Sequence, residues 1–167
     1  MNKKAKSAPL LIVWHSRTGA SEQIALAAAK GAEGEGPARL LEAHEAQPSD
    51  FRSAGAYLFV CPENLGTMSG AMKEMFDRTY YPLLGEIEGR AYGTIIAAGS
   101  DGTGAQRQLD QIVTGWRLKR VVEPIIINFE AQTPEAINAP KHLTAAYQLQ
   151  CEELGQAMGA GLALGLF

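Results

Sequence analysis

The sequence predicts an α/β three-layer sandwich, a parallel β-sheet with helices on both faces. Three observations carry that reading. Pro9 to Trp14 is an apolar run that stops at a polar, glycine-containing turn and passes at once into an alanine-rich helical pattern. Gly55 to Cys61 and Ala91 to Ala98 are two more apolar runs, each followed by a loop and then by a segment with helical spacing. Strands without polar alternation belong to sheets covered on both faces, which is the usual state of a parallel sheet.

The elements follow in order. The first helix runs from Ala20 to Ala32, with Ile24, Ala25 and Ala28 on one face and a stop at Gly31, Gly34 and Gly36-Pro37. A short second strand spans Ala38 to Glu42, and Ala43 to Ser53 reads as a loop with one helical turn. The third strand, Gly55 to Cys61, ends at Pro62. In the helix that follows, Met72, Met75 and Phe76 form a core stripe, while Asp77 and Arg78 make local ion pairs or helix-end contacts. The fourth strand is Ala91 to Ala98 and the next helix Ala105 to Trp116. The fifth strand, Val121 to Asn128, contains Pro124, which cannot donate to a ladder and therefore marks a sheet edge. Phe129 to Pro140 is irregular, and a final helix runs from Lys141 to Gly159.

The 167 residues suit one domain, with residues 1–8 a flexible N-terminus. A net charge of -3, with 15 scattered lysines and arginines, argues against a nucleic-acid partner. The two cysteines, Cys61 and Cys151, stand in no Cys-x-x-Cys or metal-ligand spacing and are expected to be reduced and structural. No metal site is expected. The apolar stretch before His15 is too short for a secretory core, and the apolar tail from Met158 to Phe167 is too short to cross a bilayer. A soluble, cytoplasmic protein without a membrane span is the expectation.

The first loop, Ser16-Arg17-Thr18-Gly19-Ala20-Ser21, holds the strongest chemical signal. A strand, loop and helix in succession aim backbone N–H groups and the positive end of a helix at one point, and three hydroxyls add donors. A phosphate is the natural occupant. Only Arg17 brings charge, so hydrogen bonds must do most of the binding. No Gly-x-x-x-x-Gly-Lys-Ser/Thr pattern is present, and one glycine is too few for a dinucleotide fingerprint. A low-molecular-weight tyrosine phosphatase would place a cysteine where His15 or Ser16 stands. A capped turn without a ligand remains the plain alternative, and the loop alone does not decide between them.

The spacing Ser-x-Thr-Gly-x-Ser resembles the phosphate loop of the flavodoxin-like proteins, which hold the monoester phosphate of FMN. That resemblance implies a five-stranded parallel sheet in the order 2-1-3-4-5, with ligands at the carboxyl ends of strands one and three. There the second stretch stands, Pro62-Glu63-Asn64-Leu65-Gly66-Thr67-Met68-Ser69-Gly70. With the helix after it, this stretch resembles the flavin-ring loop of NAD(P)H-dependent FMN reductases and of WrbA-type NAD(P)H:quinone oxidoreductases. In those families backbone amides of the loop meet the polar edge of the isoalloxazine ring. The resemblance thus assigns FMN to Ser16, Arg17, Thr18, Gly19, Ala20 and Ser21 for the phosphate, and to Pro62, Glu63, Asn64, Leu65, Gly66, Thr67, Met68 and Ser69 for the ring. A third loop, Gly99, Ser100, Asp101, Gly102 and Gly104, lines the other side.

What the resemblance implies for function is an NAD(P)H-dependent oxidoreductase that passes hydride to FMN and then to a quinone-like acceptor. The ring carries that chemistry, so no catalytic side chain is required. His15, at a strand end, is expected to pack or cap, and His44 and His142 to lie on the surface. The ring loops lack the Trp or Tyr that stack on the flavin of many electron carriers, and the insertion of long-chain flavodoxins is missing. A flavodoxin-type carrier and a flavin-free interaction domain are the competing readings. An open ring face in these families is commonly completed by a neighbouring subunit. A homo-oligomer, dimer or tetramer, is therefore expected, with the tail from Gly159 and the segment Thr133 to Pro140 as contact regions.

Overall fold

The computed structural model describes residues 8–167. Apart from Ala8, the expected flexible N-terminus lies outside these residues. Strand β1 (Leu10–Trp14) leads into helix α1 (Ala20–Glu33), strand β2 (Ala38–Glu42) and a single helical turn, α2 (Pro48–Ser53). Strand β3 (Ala56–Asn64) turns back through β4 (Thr67–Met68) into α3 (Gly70–Leu83). Then come β5 (Ala91–Ala98), α4 (Thr103–Gly115), β6 (Lys119–Arg120), β7 (Ile125–Asn128), the short α5 (Pro134–Asn138) and α6 (Ala145–Ala163).

The parallel order is β2-β1-β3-β5, with β6 and β7 both on the far side of β5. This is a flavodoxin-like sheet of five strand positions. Its fifth position is split, which the sequence reading did not foresee. Opposite Gly93 and Thr94 of β5, the chain places Val121, Val122, Glu123 and Pro124, so the ladder breaks and resumes two residues out of step. Gly93 makes room for this bulge, since a Cβ there would stand 2.6 Å from Val122 Cγ2.

Side chains alternate across β1. Leu11 and Val13 join Phe51, Tyr57, Phe59, Phe76 and Trp116 beneath α2, α3 and α4. Leu10 and Ile12 face the alanine-lined side of α1, together with Cys151, Leu154 and Met158 of α6. Both cysteines are buried thiols, and burial pushes the Cys61 thiol up to about 12 and that of Cys151 to about 11. Helices α1 and α6 touch backbone to backbone. A Cβ on Gly155 would overlap the carbonyl oxygen of Ala28, and one on Gly31 would overlap that of Glu152.

The third strand does not end at Pro62. It continues to Asn64, because the amide position of Pro62 falls on the side where β1 has already stopped and no ladder bond is lost there. The last helix starts at Ala145 rather than Lys141, where Thr144 Oγ1 accepts from Tyr147 N–H at 3.2 Å. It runs on to Ala163, past the expected end at Gly159. Asp77 and Arg78 pair with Lys73 and Glu74, as read from the sequence.

Candidate functional site

Three loops, after β1, β3 and β5, meet at the carboxyl edge of the sheet, the position where an open parallel sheet places its ligands. In the first, Gly19 takes φ +88° as the N-cap of the 14-residue helix α1, and no side chain caps that helix. The first intrahelical bond runs from Gln23 N–H to Gly19 C=O at 3.2 Å. The amides of Ala20, Ser21 and Glu22 therefore have no acceptor within the helix. Ser21 Oγ is fully buried and, among the described residues, has no hydrogen-bond partner. Arg17 is exposed at the loop surface. Orphan donors at the positive end of a long helix make a site that an anion completes.

The loop is held from outside. Thr18 C=O accepts from Lys141 N–H at 2.9 Å, and Ser16 Oγ accepts from Gly19 N–H at 3.1 Å. The Gln23 side chain donates to Gly19 C=O at 2.9 Å and Lys141 C=O at 2.6 Å, while its oxygen accepts from Leu143 N–H at 3.2 Å. Sequence reasoning missed Gln23. Two of its three partners, Lys141 and Leu143, lie about 120 residues away, so no local pattern announces it.

The second loop is a tight hairpin. Leu65 and Gly66, with φ +52° and +76°, form its two-residue turn, closed by the Asn64–Thr67 pair with Glu63–Met68 as the next rung. Leu65 is fully exposed at the tip. Glu63 points the other way, to α4. Its carboxylate accepts from Gly102 N–H at 2.8 Å and Ala105 N–H at 3.0 Å, supplying the cap that Gly102, at φ +90°, cannot. Met68 N–H donates to Gln108 Oε1 at 2.8 Å, and a Cβ on Gly104 would overlap the carbonyl oxygen of Gly66. Pro62 C=O accepts from Ser69 N–H at 3.2 Å.

In the third loop, Asp101 accepts from the Thr103 hydroxyl at 2.8 Å. Asn128 Nδ2 donates to Ser100 C=O at 2.6 Å, and Ala131 N–H donates to Gly99 C=O at 2.8 Å. The three loops thus form one rim. The sites read from the sequence stand together there, but Glu63 and Asp101 direct their carboxylates at neighbouring backbone and hydroxyl groups. The aromatic pairs among Phe51, Tyr57, Phe59, Phe76 and Trp116 all belong to the core between the sheet and α2, α3 and α4. Among the described residues no group of three His, Cys, Asp or Glu could hold a metal ion.

His15 joins the first loop to the second. Its Nδ1 is 2.9 Å from Ser69 Oγ. Burial lowers the pKa of this imidazole, Glu42 raises it, and Arg17 and His44 lower it further.

Comparison with known proteins gives one consistent picture. The family model of the NADPH-dependent FMN reductases matches residues 19–132. A flavodoxin of Aquifex aeolicus (strain VF5) is 32% identical over 107 residues, which are 63% of this chain and 58% of that protein's length. An archaeal flavodoxin superimposes with a TM-score of 0.75 at 14% identity, over 92% of this chain and 98% of the other. A WrbA-like protein of Agrobacterium tumefaciens does so with a TM-score of 0.70 at 18% identity, over 95% and 97%. The flavodiiron protein of Giardia intestinalis gives 0.76 at 20% identity, with 95% of this chain covering 36% of that larger one.

Proposed function

The chain belongs to the NADPH-dependent FMN reductase family, and from that membership we propose that it is an FMN-dependent oxidoreductase taking electrons from NAD(P)H and delivering them to a quinone or similar small acceptor. The observation that carries the FMN assignment is the uncapped start of α1 beside the orphaned, buried Ser21 hydroxyl. A terminal phosphate monoester supplies the acceptors that these donors lack. The phosphate falls to residues 16–21, the ring to 62–69, and its other side to Gly99, Ser100, Asp101, Gly102 and Gly104.

When bound, FMN supplies a ring that exchanges hydride. The protein's own part is positional. Gln23 and Lys141 fix the first loop, and Glu63 fixes the hairpin to α4. No ring-stacking aromatic stands in these loops, which leaves a face for the nicotinamide and the acceptor to occupy in turn. No helix among the described residues is long and apolar enough to cross a membrane, and a cytoplasmic location goes with this reading.

The test is the flavin absorbance of the FMN-reconstituted protein under anaerobic conditions, first with NADPH and then with a benzoquinone. Bleaching followed by recovery establishes both half-reactions. A bound flavin that NADPH leaves oxidised makes the chain an electron carrier, the reading favoured by its similarity to the Aquifex flavodoxin.

Ser21→Ala provides a test of the phosphate site that separates stability from binding. Removing a buried hydroxyl without a partner is expected to stabilise the apo chain by up to about 1 kcal/mol. The same change should weaken FMN by about 1–3 kcal/mol. Urea melts and FMN fluorescence titrations read the two effects, and unchanged FMN affinity moves the phosphate elsewhere.

We also propose that the chain is a homo-oligomer. Large apolar side chains stand exposed in both expected contact regions, Leu164 and Leu166 in the tail and Ile137 in α5. Light scattering is expected to give a dimer or tetramer, and a mass of 17.9 kDa overturns this.

A further inference from the structure

Ser69 occupies the N-cap of α3, yet its side chain makes no capping bond. A serine at that position ordinarily accepts from the first-turn amides and stabilises its helix by about 1 kcal/mol. Here the hydroxyl is buried and turned instead to His15 Nδ1, across 54 residues of sequence. His15 lies one residue past β1 and opens the first loop, and Ser69 closes the second. Their bond is a direct side-chain link between the phosphate and ring regions.

We propose that His15 is a positioning residue whose protonation sets how tightly the two loops grip an anionic flavin. The inference rests on the FMN reading above. In the neutral imidazole with its proton on Nε2, Ser69 O–H donates to Nδ1. Once the ring takes a proton both nitrogens are donors, so Nδ1–H donates to Ser69 Oγ and the serine proton is released to another acceptor. The link survives with its direction reversed, and a positive charge now stands at the entrance to the α1 N-terminus.

The charged and titratable groups facing His15 are few. Glu42 at the end of β2 favours the charged imidazole, whereas Arg17 in its own loop and His44 beyond β2 oppose it. Ser69 is the polar group facing it from the start of α3. In the apo chain burial dominates and lowers the imidazole's pKa. Its contribution to stability is then fully present above about pH 6.5 and is lost as pH falls through the folded value. A phosphate anion in the first loop acts in the opposite sense. FMN binding therefore takes up a proton at His15, and affinity rises as pH falls.

The experiment is an FMN titration by fluorescence quenching of the wild type and His15→Asn at about pH 6 and about pH 8. Asparagine can keep a hydrogen bond to Ser69 but does not titrate. FMN's own phosphate titrates equally against both proteins and cancels in the comparison. The wild type is expected to gain about three- to sixfold more affinity between the two pH values than His15→Asn, which is what a rise of about one unit in the imidazole's pKa on binding gives over that range. His15→Ala, which keeps neither bond nor charge, is expected to bind FMN more weakly than His15→Asn at both pH values. As a check that needs no variant, the NMR titration of His15 should move to higher pH when FMN binds. An equal pH ratio in wild type and His15→Asn, or an unmoved His15 titration, overturns the proposal while leaving the FMN reading intact. A chain that binds no FMN at either pH overturns both.

Discussion

Gly155→Val is expected to remove a large share of the chain's stability, the largest loss of any change named here. The α1–α6 contact has no side-chain atom that can give way there, because a Cβ on Gly155 meets the carbonyl group of Ala28 itself. Gly31 presses on Glu152 in the same way, and Gly159 lies with its would-be Cβ 3.0 Å from the Ala32 oxygen. Relief requires moving one helix off the other, which opens the layer that covers Leu10, Ile12 and Met158. Overpacking a compliant core costs about 1–3 kcal/mol, and forcing backbone apart costs more, about 4 kcal/mol or above. That is a large share of the roughly 5–15 kcal/mol that holds an ordinary domain together. Gly36→Ala is the control, since nothing lies within 4 Å of its would-be Cβ and no positive φ is involved. It is expected to be neutral or slightly stabilising. A Gly155→Val chain that melts in urea at the wild-type midpoint would show that the helices do not meet at this glycine.

Glu63→Ala is expected to give the second largest loss, in binding more than in folding. One carboxylate caps α4 twice and ties the ring-side hairpin to it. Removing it leaves the amides of Gly102 and Ala105 unpaired at the positive end of a helix. The cost is about 2–3 kcal/mol in stability by the usual size of charge-assisted bonds. Loosening the hairpin from α4 is expected to weaken FMN by about ten- to a hundredfold, or about 1.4–2.8 kcal/mol. Glu63→Gln offers only one acceptor oxygen and is expected to fall between. A Glu63→Ala protein with wild-type FMN affinity would mean that the hairpin holds its place without α4.

Much of this fold was legible in local pattern. The second and fourth strands stand at Ala38–Glu42 and Ala91–Ala98 as expected: the fourth is a wholly buried segment that opens onto a glycine-rich loop, and the second, Ala-Arg-Leu-Leu-Glu, is weakly patterned but set off by Gly36-Pro37 before it. The hairpin after β3 was hidden for two reasons. Its turn is Leu-Gly where Asn-Gly would have signalled a tight reversal, and Pro62 read as a terminator. The break in the fifth strand was hidden because a single proline signals an edge, not the size of a bulge. At the candidate site, the three loops could be read as glycine- and hydroxyl-rich strand ends. The bonds that hold them could not. Glu63 reaches across about 40 residues, His15 across 54 and Gln23 across about 120. Such polar pairings depend on which loops the folded sheet brings together, and no periodicity within a segment encodes that.

The bulge around Val122 and Pro124 also decides how this molecule behaves in a crowd. A parallel sheet that ended on an unbroken fifth strand would offer a straight row of free amides and carbonyls to any extended chain that drifted past. Here that rim is cut into a two-residue piece and a four-residue piece, set out of step by the intervening residues. A stranger strand can match one piece or the other but cannot run along both. The irregularity that spoils the ladder inside the molecule thus protects it from unwanted company outside.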